Sequence, residues 1–111
     1  MAVKEKEINI TVELDEDDIP ERIVWDASDM GGSEAATCRA MFLSMWEPEQ
    51  KDTLKLDLWT REMTIDEMKI FFHQTLVTMA DTLTQATKEE EMAEDMRDFC
   101  AYFADKMEII E

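Results

Sequence analysis

Residues 53–72, TLKLDLWTREMTIDEMKIFF, contain the change of hydrophobic period that decides the fold of this chain. From residue 53 to residue 60 apolar and polar side chains alternate, which is typical of a β-strand with one face in water. From Thr64 onward apolar residues recur every three or four positions, which is the spacing of an amphipathic α-helix. A strand followed directly by a helix predicts an α+β protein.

The residues upstream of this stretch predict a first β-hairpin. Residues 7–14 alternate strictly between apolar and polar side chains, and the acidic run 15–20 that follows has the composition of a turn. A second strand is expected at residues 21–26, because the same alternation returns there after a short connection. Beyond this hairpin, Ser33 could cap a short helix near residues 33–39.

The apolar run at residues 40–46 fits a helix or a strand, since a run this short has no decisive period. The alternating residues 53–60 favour a strand, and Pro48 in the connection would end any helix. We therefore expect residues 40–46 and 53–60 to form a second hairpin. The residues expected to face inward are Leu54, Leu56 and Leu58.

The C-terminal half of the chain predicts two amphipathic helices, at residues 64–86 and 88–110. Each is expected to begin with a capping box. In this motif the Thr hydroxyl accepts a hydrogen bond from the backbone amide of the Glu three residues later, and the Glu side chain accepts one from the Thr backbone amide. The two pairs are Thr64 with Glu67 and Thr87 with Glu90. Because the link between the helices is short, an antiparallel pair is expected.

These elements together predict one α+β domain over residues 1–111, with the strands in residues 1–60. The expected architecture is a four-stranded antiparallel sheet, made of two β-hairpins and covered on one face by the C-terminal antiparallel helix pair. A chain of 111 residues leaves no room for a second domain.

The chain is strongly acidic, with 28 Asp and Glu against 11 Lys and Arg and a formal net charge of −17. This balance argues against nucleic acid as a partner, since phosphate binding needs a surface rich in Lys and Arg. It equally disfavours anionic membrane surfaces, which attract basic segments. Two explanations of the acidity stay open: a partner with a basic patch, or solubility alone.

The sequence shows neither the features of a secretory leader nor those of a membrane span. Its first residues are charged from Lys4 onward, and no window approaches about 18 consecutive apolar residues. The expected location is therefore the cytoplasm, with no direct insertion into a membrane. In that reducing compartment Cys38 and Cys100 are expected to be small core residues rather than a disulfide.

No set of residues in the sequence has the spacing of a catalytic, cofactor or metal site. His73 is the only histidine, and it is expected to be a hydrogen-bonded residue beside the helix stripe rather than a general base. Neither cysteine lies beside a histidine, and Gly31-Gly32 lacks the surrounding pattern of a phosphate loop. The acidic run 15–18 lacks the glycine of a calcium loop. We therefore expect a non-enzymatic protein without cofactor or metal.

Two tryptophans and several methionines are not easily placed in a core. On strict alternation Trp59 is out of phase with the leucines of its strand, so it should face away from the helices, and Trp46 lies near the far end of the partner strand. Exposed tryptophans of this kind mark protein interfaces. The alternative is that Trp59 folds back under the following loop. The predicted partner interface comprises Trp46, Trp59, Met41, Met45 and Met63.

With these residues in view, the chain resembles the GldC family of small gliding-motility proteins of the Bacteroidetes. The most specific block lies within residues 54–82. It contains Leu56-Asp57-Leu58-Trp59-Thr60, Asp66-Glu67-Met68-Lys69, Phe71-Phe72-His73-Gln74-Thr75-Leu76 and Met79-Ala80-Asp81-Thr82. Weaker likeness extends to Val24-Trp25-Asp26-Ala27, the segment from Ala40 to Trp46, and Asp98-Phe99-Cys100-Ala101-Tyr102-Phe103.

The resemblance implies a cytoplasmic protein that accompanies the gliding machinery associated with type IX secretion, with no catalytic residues to carry over. We expect it to act as an adaptor or chaperone-like binder of protein partners in that machinery. The alternative is a general export chaperone, similar in outline to SecB, that holds unfolded clients. A homo-oligomer that pairs the Trp-bearing face with its own copy would also explain exposed tryptophans.

Overall fold

The computed structural model describes residues 4–28 and 35–109. Within these ranges the chain forms five strands followed by two helices, and it divides into two compact units, Met1–Met63 and Thr64–Glu111. The strands belong to the first unit and the helices to the second. The α+β class is therefore confirmed, while the single domain over residues 1–111 stays a prediction.

The first unit begins with a three-stranded antiparallel sheet in the order β1-β2-β3. Its strands are β1 (Ile8–Leu14), β2 (Pro20–Ala27) and β3 (Ala36–Cys38). The register places Ile23 of the central strand β2 between Val12 of β1 and Cys38 of β3. Directly opposed residues share one face of a sheet, so these three side chains lie together. Ile23 is completely buried at this position.

The acidic turn between β1 and β2 forms where the sequence predicts it. The Asp15 carboxylate accepts hydrogen bonds from the amides of Ile19 and Asp17, at 3.1 and 2.8 Å, and pairs with Arg61 at 2.8 Å. The Ile19 amide is the main cause that holds the pKa of Asp15 below its usual value. Asp18 has a left-handed φ of 61°, which Asp tolerates better than most residues. The Asp15 side chain thus satisfies the amides that the turn leaves without partners.

The prediction of a short helix near residues 33–39 is wrong for residues 35–39, the part of this range that the structure describes. Residues 36–38 form β3 and pair with residues 23–25 of β2. The expected helix cap, Ser33, lies outside the described residues. Pairing with β2 satisfies the backbone groups on one side of β3, and a helix of this length would be marginal on its own.

The second sheet contains β4 (Ala40–Glu47) and β5 (Asp52–Trp59), which form the predicted second hairpin. The single four-stranded sheet expected from the sequence is wrong, because the strands are divided between a three-stranded and a two-stranded sheet. Only Arg39 separates β3 from β4, yet β3 pairs with β2 whereas β4 pairs with β5. A nearly continuous extended segment therefore changes its pairing partner at this residue, and the sheet is interrupted there.

Helix α1 (Ile65–Thr87) begins at the capping box that the sequence predicts. The Thr64 hydroxyl accepts a hydrogen bond from the Glu67 amide at 3.0 Å, and the Glu67 carboxylate accepts one from the Thr64 amide at 3.0 Å. Both bonds satisfy amides that have no partner within the helix. Asp66 and Glu67 also place negative charge in the first turn, where the helix dipole favours it.

The second predicted capping box, between Thr87 and Glu90, does not form. Thr87 is the last residue of α1, and its hydroxyl donates to the Leu83 carbonyl at 2.7 Å. Lys88 ends that helix with a left-handed φ of 65°, and α2 (Glu90–Lys106) begins without a side-chain cap. Both predicted helices are present, and α2 ends short of the predicted residue 110.

The two helices are antiparallel, and small residues are buried in their unit. Ala80 of α1 and Ala93 of α2 have no exposed surface, and Cys100 of α2 is also buried. Arg97 of α2 pairs with Asp81 of α1 at 3.0 Å, and this hydrogen bond is the main cause that raises the pKa of Arg97. Small side chains therefore allow close packing, while a more exposed ion pair joins the two helices.

Candidate functional site

The β4–β5 hairpin has two chemically different faces, which its cross-strand register defines. On one face Met41, Leu43 and Met45 pair with Leu58, Leu56 and Leu54. On the other face Ala40, Phe42, Ser44 and Trp46 pair with Trp59, Asp57, Lys55 and Thr53. Directly opposed residues point to the same side of an antiparallel sheet. We name the first set the Met/Leu face and the second set the Trp face.

The Trp face carries two exposed tryptophans. Trp46 is 63% exposed and Trp59 is 54% exposed. The register confirms that Trp59 is out of phase with the leucines of its own strand. Because more than half of Trp59 is in solvent, the alternative in which it folds back under the following loop is not supported. Trp59 pairs with Ala40 at the start of β4, whereas Trp46 lies near its end, so the two indoles occupy opposite ends of the face.

A charged cluster lies between the two tryptophans. Lys55 Nζ is 3.4 Å from Asp57 Oδ1 and 3.2 Å from Ser44 Oγ. The same ammonium group is 5.7 Å from the centre of the Phe42 ring, within the range of a cation–π contact. Phe42 and Lys55 are not among the residues that the sequence predicts for an interface, although strand alternation places Phe42 in phase with Trp46. The Trp face thus combines aromatic groups with a positioned hydrogen-bonding cluster.

The Met/Leu face separates two of the predicted interface residues from the tryptophans. Met41 and Met45 point to the side opposite Trp46 and Trp59, so these predicted residues do not share one face. The three leucines of β5 share a face as expected, yet Leu54 and Leu56 are 52% and 48% exposed. The hairpin therefore has two candidate contact surfaces, and the role of each residue in binding stays a prediction.

Met63, the fifth predicted interface residue, lies on neither face of the hairpin. It follows β5 in a turn where its amide donates to the Thr60 carbonyl at 3.1 Å. It is half-buried there. The structure therefore does not bring Met63 together with the two tryptophans on the hairpin.

A cleft of about 640 Å³ lies beside Thr60 in the strand unit. Two ion pairs line it, each with a separation of 3.6 Å: Arg22 with Glu13, and Arg39 with Glu62. The Thr60 hydroxyl is buried and has no hydrogen-bond partner in the described part of the chain. Burial raises the pKa of the Cys38 thiol in this cleft, which lowers its thiolate fraction and its reactivity. The cleft offers paired charges and no activated nucleophile.

The remaining reactive side chains do not form a constellation. Among residues 4–28 and 35–109, no group of three His, Cys, Asp or Glu side chains could hold a metal ion. His73 stacks on Phe103 with ring centres 6.3 Å apart, and its Nδ1 is buried without a hydrogen-bond partner in that part of the chain. The hydrogen bond to a neighbour that the sequence predicts for His73 is therefore not made through Nδ1. Cys38 and Cys100 are both free thiols.

The helical unit exposes apolar side chains on both amphipathic helices. Four of them are between 44% and 56% exposed: Phe72, Met79, Met92 and Phe99. A groove of about 340 Å³ at one end of the helix pair is lined by Ile65, Met68, Lys69, Phe72, Phe103 and Met107. Both units therefore present apolar surface of a kind that often marks contact sites.

These features define the class of this chain: a small α+β protein with exposed aromatic and apolar surfaces. The family model for gliding motility-associated GldC-like proteins matches residues 20–109. The chain belongs to the GldC-like family, which confirms the family resemblance found in the sequence. A search of curated proteins and a search of solved structures found no match. Neither described helix is long and apolar enough to cross a membrane.

Proposed function

We propose that this chain is a cytoplasmic, non-enzymatic accessory protein of gliding motility that binds a protein partner through the Trp face. The observation that carries the proposal is the placement of Trp46 and Trp59 on one face of a β-hairpin, each more than half exposed. Membership of the GldC-like family supports the link to gliding. The partner would then belong to the gliding machinery and the type IX secretion system associated with it, with this chain as an adaptor.

The chemistry of the Trp face suits a protein partner. Tryptophan supplies a large apolar area with few rotatable bonds, so burying it in a contact costs little conformational entropy. The Lys55–Asp57 pair between the indoles supplies polar groups that would fix the orientation of a bound segment. A net charge of −17 favours a partner with basic residues around the contact, since opposite charges speed the encounter.

Trp59→Ala is expected to weaken partner binding by roughly 30-fold or more, because truncating a tryptophan that a partner buries typically costs about 2 kcal/mol or more. The partner would be captured with tagged wild-type chain in a gliding bacterium that encodes it, identified by cross-linking and mass spectrometry, and then purified. Calorimetric titration of the purified pair would give the change in Kd. Colony spreading of a deletion strain complemented with each variant would report the role in gliding.

Thr11→Ala is the matched control, because Thr11 is an exposed strand residue of the three-stranded sheet. It should bind and complement like the wild type. Equal Kd values for wild type and Trp59→Ala would remove the Trp face from the proposal. Normal spreading of the deletion strain would instead remove the role in gliding.

A general export chaperone similar in outline to SecB is the second candidate, and the Met/Leu face is the observation that favours it. Its six apolar side chains form an uninterrupted ladder along both strands, and unfolded clients are held through such surfaces. In this case the chain should suppress light scattering by a denatured client at equimolar ratio. Leu56→Asp should abolish that suppression while Trp59→Ala leaves it unchanged. Absence of any suppression by the wild type would remove this candidate.

A further inference from the structure

The exposed apolar side chains of the helix pair line two adjoining grooves. The first, of about 340 Å³, lies between the start of α1 and the end of α2. The second, of about 230 Å³, is lined by Leu76, Met92, Asp95, Met96, Phe99 and Cys100. Phe99 of the second groove lies next to Phe103 of the first, with ring centres 6.2 Å apart, and Leu76 lies one helical turn from Phe72 of the first. The two grooves therefore form one trough along the helix pair.

The length and the lining of this trough suit an amphipathic helix as its occupant. The residues from Met92 to Met107 span about 22 Å, which is about four turns of a helix. Four of the ten methionines of the chain line the trough: Met68, Met92, Met96 and Met107. Methionine side chains are flexible and fill irregular gaps, so they adapt to apolar side chains of different shape. A helix with an apolar residue at every third or fourth position would place these residues along such a trough.

Unpaired carboxylates border the trough on its α2 side. Asp95 lines the second groove, and Glu91 and Asp98 lie four residues before it and three residues after it, on the same side of the helix. All three are exposed, and none forms an ion pair within residues 4–28 and 35–109. Arg97, the basic residue between Asp95 and Asp98, is already paired with acidic residues of both helices. These three carboxylates are therefore available to cations of a partner.

The far end of the trough does not reverse this charge. Lys69 lines the first groove. Asp66 and Glu108 lie beside the same lysine around a smaller cavity, so acidic groups outnumber basic ones at this end too. An apolar trough with an acidic border, in a chain of net charge −17, is complementary to a surface that is both apolar and basic.

We propose that the trough binds a basic amphipathic helix of a protein partner. The apolar side of that helix lies in the trough, and its Lys or Arg side chains lie against Glu91, Asp95 and Asp98. A second copy of this chain is disfavoured as the occupant, because it carries the same net charge of −17 and the same acidic border. The trough lies in the helical unit, so this proposal goes beyond that of the Trp face and does not depend on it.

Titration with a designed peptide tests the trough. The probe is a fluorescein-labelled helix of Leu and Lys, roughly four to five turns long, with its leucines along one side. Two control peptides have the same length: one with every Lys replaced by Glu, and one with the order of Leu and Lys scrambled so that no apolar side forms. Fluorescence anisotropy is expected to show that the wild-type protein binds the Lys probe at least about 10-fold more tightly than either control peptide.

Variants of the border and of the lining separate the two parts of the contact. Asp95→Lys should weaken binding of the Lys probe by about 10-fold, because a repulsive charge replaces an attractive one. Glu49→Lys makes the same change of net charge at an exposed turn residue of the strand unit and should bind within about twofold of wild type. Phe99→Ala should weaken binding by about 10-fold, since an exposed aromatic contact is lost. Trp59→Ala should leave it unchanged, which distinguishes the trough from the Trp face.

Methyl NMR of isotope-labelled methionine locates the probe without any substitution. The Lys probe should shift the methyl resonances of Met92 and Met96 in the second groove and leave those of Met41 and Met45 on β4 unchanged. The proposal would be overturned by absence of binding, by equal binding of the Lys and Glu peptides, by equal weakening from the Asp95 and Glu49 variants, or by shifts at Met41 and Met45 alone. A shift of Met92 on dilution without peptide would also overturn it, since a second copy would then occupy the trough.

Discussion

Ile23→Ala is expected to destabilise the strand unit by about 2–5 kcal/mol, the usual cost of truncating a buried Ile to Ala. Ile23 lies on the central strand of the three-stranded sheet, between Val12 and Cys38, and has no exposed surface. Its removal leaves a cavity, because neighbours held in two hydrogen-bonded strands cannot move in to fill it. Urea unfolding followed by circular dichroism, with hydrogen exchange of the β2 amides, would measure the loss.

Ile8→Ala is the matched control for this substitution. The same truncation of Ile to Ala is made there, on the same face of the sheet, but Ile8 is 64% exposed. We expect Ile8→Ala to lower the free energy of unfolding by less than about 1 kcal/mol, since folding buries little of the apolar surface of this side chain. Equal losses from the two variants would show that burial of Ile23 does not anchor this sheet.

The elements that the sequence predicts correctly are those whose signal is local. The strand at residues 7–14 and the turn after it need only alternation and an Asp that accepts two nearby amides. The start of α1 needs only Thr64 and Glu67, three residues apart. In each case the residues that make the interaction are close in the chain, so their spacing alone defines the geometry.

The predictions that fail depend on competition between partners. β3 exists because residues 36–38 find a neighbour in β2, and the sheet divides because the next residues pair with β5 instead. Thr87 was expected to cap α2, but it is the last residue of α1, and its hydroxyl accepts from the Glu89 amide at 3.1 Å rather than from the Glu90 amide. A local pattern shows that an interaction is available, and the rest of the fold decides whether it forms.

Prediction of the candidate site from the sequence is limited in the same way. Alternation along β5 is enough to place Trp59 opposite in phase to its leucines, as the register confirms. Placing Trp46 on the same face needs the register between the strands, which the connection at residues 48–51 sets and alternation does not. The separation of Met41 and Met45 from Trp46 could have been found from the phase of β4 alone.

Ala93→Leu is expected to destabilise the helical unit by about 1–3 kcal/mol. Ala93 of α2 has no exposed surface, as is also true of Ala80 of α1. A larger side chain at this position must displace a neighbouring helix or adopt a strained rotamer, because the surrounding atoms are already close-packed. Thermal unfolding, with hydrogen exchange of peptides from α1 and α2, would measure the loss.

Ala101→Leu tests whether size or position causes that effect. Ala101 lies on the same helix and is exposed, so the identical substitution adds a side chain that water can surround. Since Ala and Leu have similar helix propensities, we expect a change within about 0.5 kcal/mol at this site. Faster exchange in both helices with Ala93→Leu, and wild-type exchange with Ala101→Leu, would show that a small residue at position 93 holds α1 and α2 together. Indistinguishable exchange for the two variants would contradict close packing at Ala93.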